Sequence, residues 1–525
     1  MNKKMIPLNN KSFLAKKTKN ILKFMSFLIL SGTFSITNSF AKSDISTLET
    51  ITINDKDKTR AFPHFWEQIF GSGRAILSLR ESYHKDLKKV KEITDFKYVR
   101  PHAIFHDEVG IYDEDSNGKA IYNFSYIDQI YDGLLEQGVK PFVELGFMPR
   151  KMASKLIEHP FNYKQITSPP KDWKKWEDLI SAFTKHLVSR YGEKEVSKWY
   201  FEVWNEPNID FWSGEPKEDT YYELYDRTAK TLKAVNSKFL IGGPATAQAA
   251  WVDRFIKHCV DNKIPVDFVT THVYANDSAK DVFGTNENIP RKTMVARSVK
   301  KVYDQVKNSA KPNLPIIWSE YNASYKNEQN VTDSTYMGPW LANNIRQCDG
   351  MTTFMSYWDF SDVFEEQGVV KTPFYGGFGL MAVGNIPKAS YNVFKLLHKL
   401  GTQRILIDSE SALATKKTDG ARVIALWNYF EPEEIGKDKQ IKLVLKGNKK
   451  FSHINIYKLD KNHGSALTLW EKMGKPSFPS IDQQKKLRNA GELTPPQIKD
   501  LSKGKDTVVN LTLPPHSLFL IEEVK

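Results

Sequence analysis

Between residues 62 and 401 the chain repeats one texture, a short apolar run followed by a stretch whose apolar positions recur every three or four residues. The run reads as a strand buried on both faces and the stretch as an amphipathic helix laid over it. Strands are predicted at 65–71, 97–105, 141–147, 199–205, 239–243, 266–273, 316–321 and 352–358. Helical periodicity is clearest at 126–137, 173–191, 221–235, 250–262, 294–307 and 389–400. Eight such units predict an α/β fold, a (β/α)8 TIM barrel with its reactive groups at the C-terminal ends of the strands.

From 402 to 525 the pattern changes to alternating, β-branched runs at 422–429, 441–445, 454–458 and 507–511, separated by turn-rich spacers. That pattern predicts an accessory C-terminal β-sandwich. The segment 44–58, with its alternating core at 48–53, is placed to join the sandwich, and 471–505, dense in Lys, Pro and Gln, reads as a surface excursion.

The first 41 residues stand apart. They carry seven lysines and no acid, then an apolar run at 24–34 and a small-x-small triplet at Ser39-Phe40-Ala41. This is the layout of a secretory signal peptide, so an exported protein, periplasmic or secreted, is expected, with no stable membrane insertion once the leader is cleaved. An uncleaved leader would act as an anchor instead. The leader also supplies about half of the net charge of +13. The remainder has no dominant basic block, which argues against a nucleic-acid partner. Cys259 and Cys348 are the only cysteines, each in a helical segment, so they read as buried free thiols with neither a disulfide framework nor a Cys-based metal site. Homo-oligomerisation is left open.

Candidate chemistry sits where apolar strands end on acids. Trp199-Tyr200-Phe201-Glu202-Val203-Trp204-Asn205-Glu206-Pro207-Asn208 is an aromatic-rich strand stopping on an Asn-Glu pair and closed by a proline. Neighbouring side chains on a regular strand face opposite ways, so Asn205 and Glu206 share a pocket only where the strand ends or bulges, and Pro207 marks such an end. A carboxyl at the rim of an apolar core has its pKa raised towards general-acid use. A second address is Leu314-Pro315-Ile316-Ile317-Trp318-Ser319-Glu320-Tyr321-Asn322, which delivers Glu320 from the seventh strand. Two carboxylates on separate strands are what glycoside hydrolysis requires, and their separation, which sequence does not measure, decides between retention and inversion. Arg100, His102, His106 and Asp107 near strand two, His272 and Tyr274 on strand six, and Trp358, Glu365 and Glu366 around strand eight converge on the same rim. His102 and His106 have a helical metal-ligand spacing, but they straddle a strand end and lack the His-Glu-x-x-His order, so no metal is expected. No Gly-rich phosphate loop and no Gly-x-Ser-x-Gly elbow follows any strand, and no cofactor is expected.

These segments resemble glycoside hydrolase family 39, the β-xylosidase group that also contains α-L-iduronidases. The resemblance runs through His106-Asp107-Glu108-Val109-Gly110-Ile111-Tyr112, Pro141-Phe142-Val143-Glu144-Leu145-Gly146-Phe147-Met148-Pro149, the Glu206 segment, Thr271-His272-Val273-Tyr274 and Ser319-Glu320-Tyr321-Asn322. It continues through Phe360-Ser361-Asp362-Val363-Phe364-Glu365-Glu366-Gln367-Gly368 and Phe374-Tyr375-Gly376-Gly377-Phe378-Gly379-Leu380, and is strongest to the bacterial β-xylosidases. It implies a retaining (β/α)8 enzyme with a β-sandwich, Glu206 as acid/base and Glu320 as nucleophile. It further implies that Asn205, His272, Tyr274 and one or both of Glu365 and Glu366 hold glycone hydroxyls. One departure is Ala103, where the resemblance leads one to expect glycine after His102. The expected activity is an exo-acting β-D-xylosidase on an oligosaccharide or glycoside. Its rivals are another glycosidic specificity on the same scaffold, an iduronidase or an exopolysaccharide endo-hydrolase, and a non-catalytic carbohydrate-binding protein on a dead barrel. Paired Glu365-Glu366 suits neutral hydroxyls better than a uronate carboxylate.

Overall fold

The computed structural model describes residues 48–447, 450–501 and 506–525. The leader expected over 1–41 and the start of 44–58 lie outside these residues.

Eight parallel strands close into a barrel: β1 Ile69–Arg74, β2 Tyr98–His102, β3 Lys140–Leu145, β4 Tyr200–Val203, β5 Leu240–Thr246, β6 Phe268–Tyr274, β7 Ile316–Asn322 and β8 Phe354–Tyr357. Tyr357 lies opposite Phe70 at the seam that joins β8 to β1. Helices cover one face of the strands and the barrel interior takes the other, so all seven residues of β7 are buried. At the N-terminal ends Ile69, Phe142, Phe268 and Ile317 pack together, flanked by Tyr98, Tyr200, Leu240 and Phe354. This apolar floor leaves only the C-terminal half of the interior for polar side chains, which is where the candidate residues gather.

The first strand begins later than the apolar run predicts. Phe65–Glu67 forms a 3-10 turn, and the strand starts at Ile69. The turn is held by Glu67, whose carboxylate takes His64 and, from the end of the helix after the last strand, His398. Two of the longer barrel helices are not among the clearest periodic stretches, for opposite reasons. Glu81–Ile93 is dense in charge and buries only one stripe, Tyr83, Leu87, Val90 and Ile93 among it. Met337–Cys348 is buried on almost every face and so lacks polar contrast.

Beyond the barrel, a seven-stranded sheet runs in the order Thr59–Ala61, Gln403–Ile405, Ala412–Lys416, Arg422–Asn428, Ser517–Val524, His453–Leu459, Gln497–Asp500. A three-stranded sheet faces it, with Lys439–Lys446 between Thr507–Leu513 and Glu49–Asn54, the last pairing in parallel. Ile424 and Leu426 point into the core between the sheets with Ile53, Leu443 and Ile521. Their neighbours Val423, Ala425 and Trp427 join the barrel core, so this central strand of the seven-stranded sheet is buried on both faces and the barrel lies against it. The stretch 471–505 is more than a surface excursion. It contains the helix Ile481–Gly491, whose buried Leu487 packs with Phe374, Ile386 and Trp470, and the edge strand Gln497–Asp500.

Candidate active site

Two local distortions bring neighbouring polar residues into one interior. After β4, Trp204 and Glu206 adopt φ values of 70° and 45°, a left-handed conformation that costs a non-glycine residue about 1–3 kcal/mol. Across this kink Trp204 N–H still donates to Leu145 O of β3 (3.3 Å), while Glu206 N–H donates to Ala245 O of β5 (2.8 Å). The chain is thus pinned on both sides while Asn205 and Glu206 both turn inward. On β7 the register against β6 steps from Thr271–Trp318 to His272–Glu320 and passes over Ser319. That bulge lets Ser319 and Glu320, neighbours in sequence, both reach the interior.

A single buried guanidinium organises the acids. Arg100, on β2, donates from Nε to Glu202 Oε2 (2.5 Å), from Nη1 to Glu320 Oε1 (2.8 Å) and from Nη2 to Asn205 Oδ1 (2.9 Å), with Glu144 Oε2 also 2.9 Å from Nη2. Burial opposes its charge, but the surrounding carboxylates raise its pKa further, so it stays cationic. Such a buried cation is tolerated only because every arm is paired. His102 places Nδ1 2.5 Å from Glu144 Oε2 and Nε2 3.4 Å from Glu320 Oε1. Tyr274 OH donates to Glu320 Oε2 (2.7 Å).

Glu206 is treated differently. Among the described residues the one hydrogen-bond partner of its carboxyl is His272, with Nδ1 2.9 Å from Oε1. Burial, then the charges of Glu320 and Asp277, push its pKa well above the ordinary carboxyl range, against the pull of Arg100. Burial also raises Glu320, but Arg100, His102 and the Tyr274 hydroxyl oppose it, so of the coupled pair Glu320 ionises first and Glu206 keeps its proton longer. Carboxylate oxygens of the two residues and a ring nitrogen of His272 all lie within 4.8 Å of one another. This trio has a geometry that a metal could use, but Glu206 and His272 bond each other and Glu320 holds Arg100 and Tyr274.

Above these groups opens a cavity of about 400 Å³ lined by His102, Asn205, Glu206, Tyr274, Glu320, Trp358 and Glu366. Its outer wall is aromatic, with Phe161, Phe211, Tyr325 and Phe378 beside His159. Four carboxyl groups, of Glu206, Asp277, Glu320 and Glu366, line it with neither lysine nor arginine. His272 lies just behind, fully buried. A larger, shallow groove of about 720 Å³ on the outer helices contains none of these residues. Trp358 packs on His102 with ring centroids 4.4 Å apart. It passes so close to β1 that a Cβ on Gly71 would sit 2.2 Å from its ring. Only glycine leaves room there.

The pair Glu365-Glu366 is divided. Glu366 is buried, lines the cavity and makes no side-chain hydrogen bond among the described residues, and burial followed by Glu320 and Asp359 raises its pKa well above the ordinary range. Glu365 is not part of the cavity wall. Arg80 Nη1 (2.5 Å) and Arg74 Nη2 (3.1 Å) hold its carboxylate, and despite partial burial these arginines lower its pKa. His106 is likewise drawn off, its Nε2 2.9 Å from Tyr163 O, so it does not meet His102. Asp107 accepts from the Arg150 backbone N–H (3.1 Å) outside the cavity.

The family model of glycosyl hydrolases family 39 matches residues 49–500. The chain belongs to glycosyl hydrolases family 39. It is 35% identical to a β-xylosidase of Geobacillus stearothermophilus over 463 residues, 86% of this chain and 90% of that one. It is 34% identical to a β-xylosidase of Caldicellulosiruptor saccharolyticus over 488 residues, covering 90% and 97%. A solved family 39 β-xylosidase of Caulobacter crescentus superposes with a TM-score of 0.79 at 34% identity, over 91% of this chain and all of that one. As a family 39 member the chain is a glycoside hydrolase with the barrel and sandwich described above.

Ala103, where the family resemblance led to an expectation of glycine, adopts φ 63°, a conformation that glycine takes without strain. Sequence reasoning missed Glu144, Glu202 and Ser319 as members of this family 39 site. Glu144 and Glu202 did carry a signal, since each is a carboxylate interrupting an apolar strand and would be left unpaired in a core without partners. The aromatic wall carried none, because His159, Phe161 and Phe211 arrive on loops whose positions depend on tertiary packing.

Proposed function

We propose that this family 39 hydrolase is a retaining, exo-acting β-D-xylosidase that removes xylose from the non-reducing ends of short glycosides outside the cytoplasm. The observation that carries the reading is the pairing of Glu206 with Glu320. One oxygen of each lies within 4.8 Å of one oxygen of the other, in keeping with the roughly 5–5.5 Å between carboxyl groups that suits covalent catalysis. Glu320, held by Arg100 and Tyr274, attacks the anomeric carbon. Glu206 gives its proton to the leaving glycosidic oxygen, and a glycosyl ester forms on Glu320. The ionised Glu206 then takes a proton from water, whose oxygen attacks the same carbon and expels the Glu320 carboxylate.

A cavity near the small end of the range for ligand sites, about 300–1,000 Å³, supports action at chain ends. Glu366, Asn205 and Trp358 would receive the sugar. A lining with four carboxyls and neither lysine nor arginine suits neutral hydroxyls and offers a uronate carboxylate no guanidinium or ammonium to pair with. A panel of chromogenic glycosides tests this. β-D-Xyloside should be the best substrate, with iduronide inert. Preference for iduronide, or no turnover of any glycoside, would contradict the reading.

A further inference from the structure

Behind the cavity a chain of hydrogen bonds links Glu206 to Arg100 through His272, Ser319 and Glu202, and its directions are fixed from one end. Arg100 Nε–H donates to Glu202 Oε2 (2.5 Å), and Ser319 Oγ–H donates to the other oxygen, Oε1 (2.6 Å). A hydroxyl has one proton, so with it committed to Glu202 the Ser319 oxygen can only accept. Its other neighbour is His272 Nε2, 3.0 Å away. That nitrogen must therefore carry a proton. His272 is fully buried, and burial, reinforced by Arg100 and His102, pushes its pKa well below the ordinary histidine value, so the ring holds a single proton. Nδ1 then presents a lone pair to Glu206 Oε1 at 2.9 Å. Two lone pairs do not make a hydrogen bond at that distance, so the proton between them comes from Glu206.

We propose that Ser319 and Glu202 are positioning residues that fix His272 as the Nε2–H tautomer and thereby keep the acid/base proton on Glu206. The proposal rests on the reading of Glu206 as acid/base and adds what sets its protonation. In the first step the leaving oxygen competes with Nδ1 for that proton. Once it is gone, Glu206 faces a lone pair, which makes the carboxylate a stronger base towards the incoming water.

Reversing the chain should lower the pKa of Glu206. In Glu202→Gln the amide oxygen must face Arg100 Nε–H, which turns its NH2 towards Ser319. Ser319 then donates to His272 Nε2, and the ring proton moves to Nδ1, where it stabilises ionised Glu206. The basic limb of kcat/KM should fall by about one pH unit, because a donor to the charged form lowers a carboxyl pKa. Ser319→Ala should move the limb the same way, and Ser319→Thr, which keeps the hydroxyl, should hold the limb at its wild-type position. In 15N-histidine-labelled protein, the His272 signal, identified by its loss in His272→Gln, should report Nε2–H in the wild type and Nδ1–H in Glu202→Gln. A wild-type Nδ1–H signal would overturn the proposal, as would an unmoved limb in both Glu202→Gln and Ser319→Ala. The spectrum is read without substrate, so a protein inactive on every glycoside but showing Nε2–H would contradict the function and leave the tautomer assignment standing. If Glu202→Gln does not fold, Ser319→Ala and the wild-type spectrum carry the test.

Discussion

The barrel buries carboxylates at both ends, and the two sets differ in how fully their neighbours satisfy them. On the underside Glu67 lies between two imidazoles, with His64 Nδ1 at 2.7 Å and His398 Nδ1 at 3.0 Å, while His64 Nε2 approaches Leu400 O at 3.1 Å. Burial opposes its charge, yet these partners hold its pKa below the ordinary value, and the cluster fastens the turn before β1 to the helix after β8. On the upper rim Glu206 and Glu366 are also buried, but among the described residues the carboxyl of one has a single hydrogen-bond partner and that of the other none, and both pKa values are pushed up. A satisfied carboxylate stabilises the fold, whereas an unsatisfied one facing a cavity is held ready for a ligand. Glu365 and Glu366 repeat this contrast between adjacent residues.

That contrast is sharpened most by treating the adjacent pair alike. Glu366→Gln removes a carboxyl that can ionise when sugar hydroxyls donate to it in the proposed glycone site, a loss of about 1.5–3 kcal/mol for a charged acceptor, so kcat/KM should drop about ten- to a hundredfold. Its thermal midpoint at neutral pH should rise, because a carboxyl with a raised folded pKa weakens the fold as pH climbs above its unfolded value. Glu365→Gln should behave in the opposite sense, with kcat/KM within about threefold of wild type and a lower midpoint from the loss of charge-assisted bonds to Arg74 and Arg80. Equal kinetic effects in the two variants would break the comparison.

A smaller effect is expected underneath. Glu67→Gln should destabilise the protein by about 1–3 kcal/mol near pH 6 without changing kcat/KM. The sign follows from the two shifts. Glu67, lowered from 4.5, contributes stability above that value and loses it as pH falls through its folded pKa. His398, raised from 6.5 chiefly by its bond to Glu67, contributes below that value and loses it as pH rises through its folded pKa. Denaturant titrations should therefore show the cluster strongest between about pH 4.5 and 6.5, and the dependence flattened in the variant. An unchanged profile would mean that the cluster does not fasten the barrel.

The same contrast explains what was legible in the chain. An acid ending an apolar run announces itself, so Glu206 and Glu320 stood out, and eight strand-helix units implied the barrel. What decides whether an acid is free is the identity of its partners, and these come from elsewhere. Arg80 lies 285 positions from Glu365, and His398 lies 331 from Glu67. The same distant pairing moved the first strand, because Phe65–Glu67 reads as strand until Glu67 is seen fastened across the seam. The bulge at Ser319 and the kink at Glu206 are backbone events that periodicity does not register, although Pro207 hinted at the second.

The central claim is that Glu320, held by Arg100 and Tyr274, is the nucleophile of a retaining enzyme. A 2-deoxy-2-fluoro-β-xyloside with a good leaving group tests it most directly, followed by peptide mapping of the inactivated protein. One sugar should be found per chain, esterified to Glu320, and Glu320→Ala should be neither active nor labelled. A label on Glu206, Glu366 or any other carboxylate, or hydrolysis with inversion and no covalent adduct, would contradict the account.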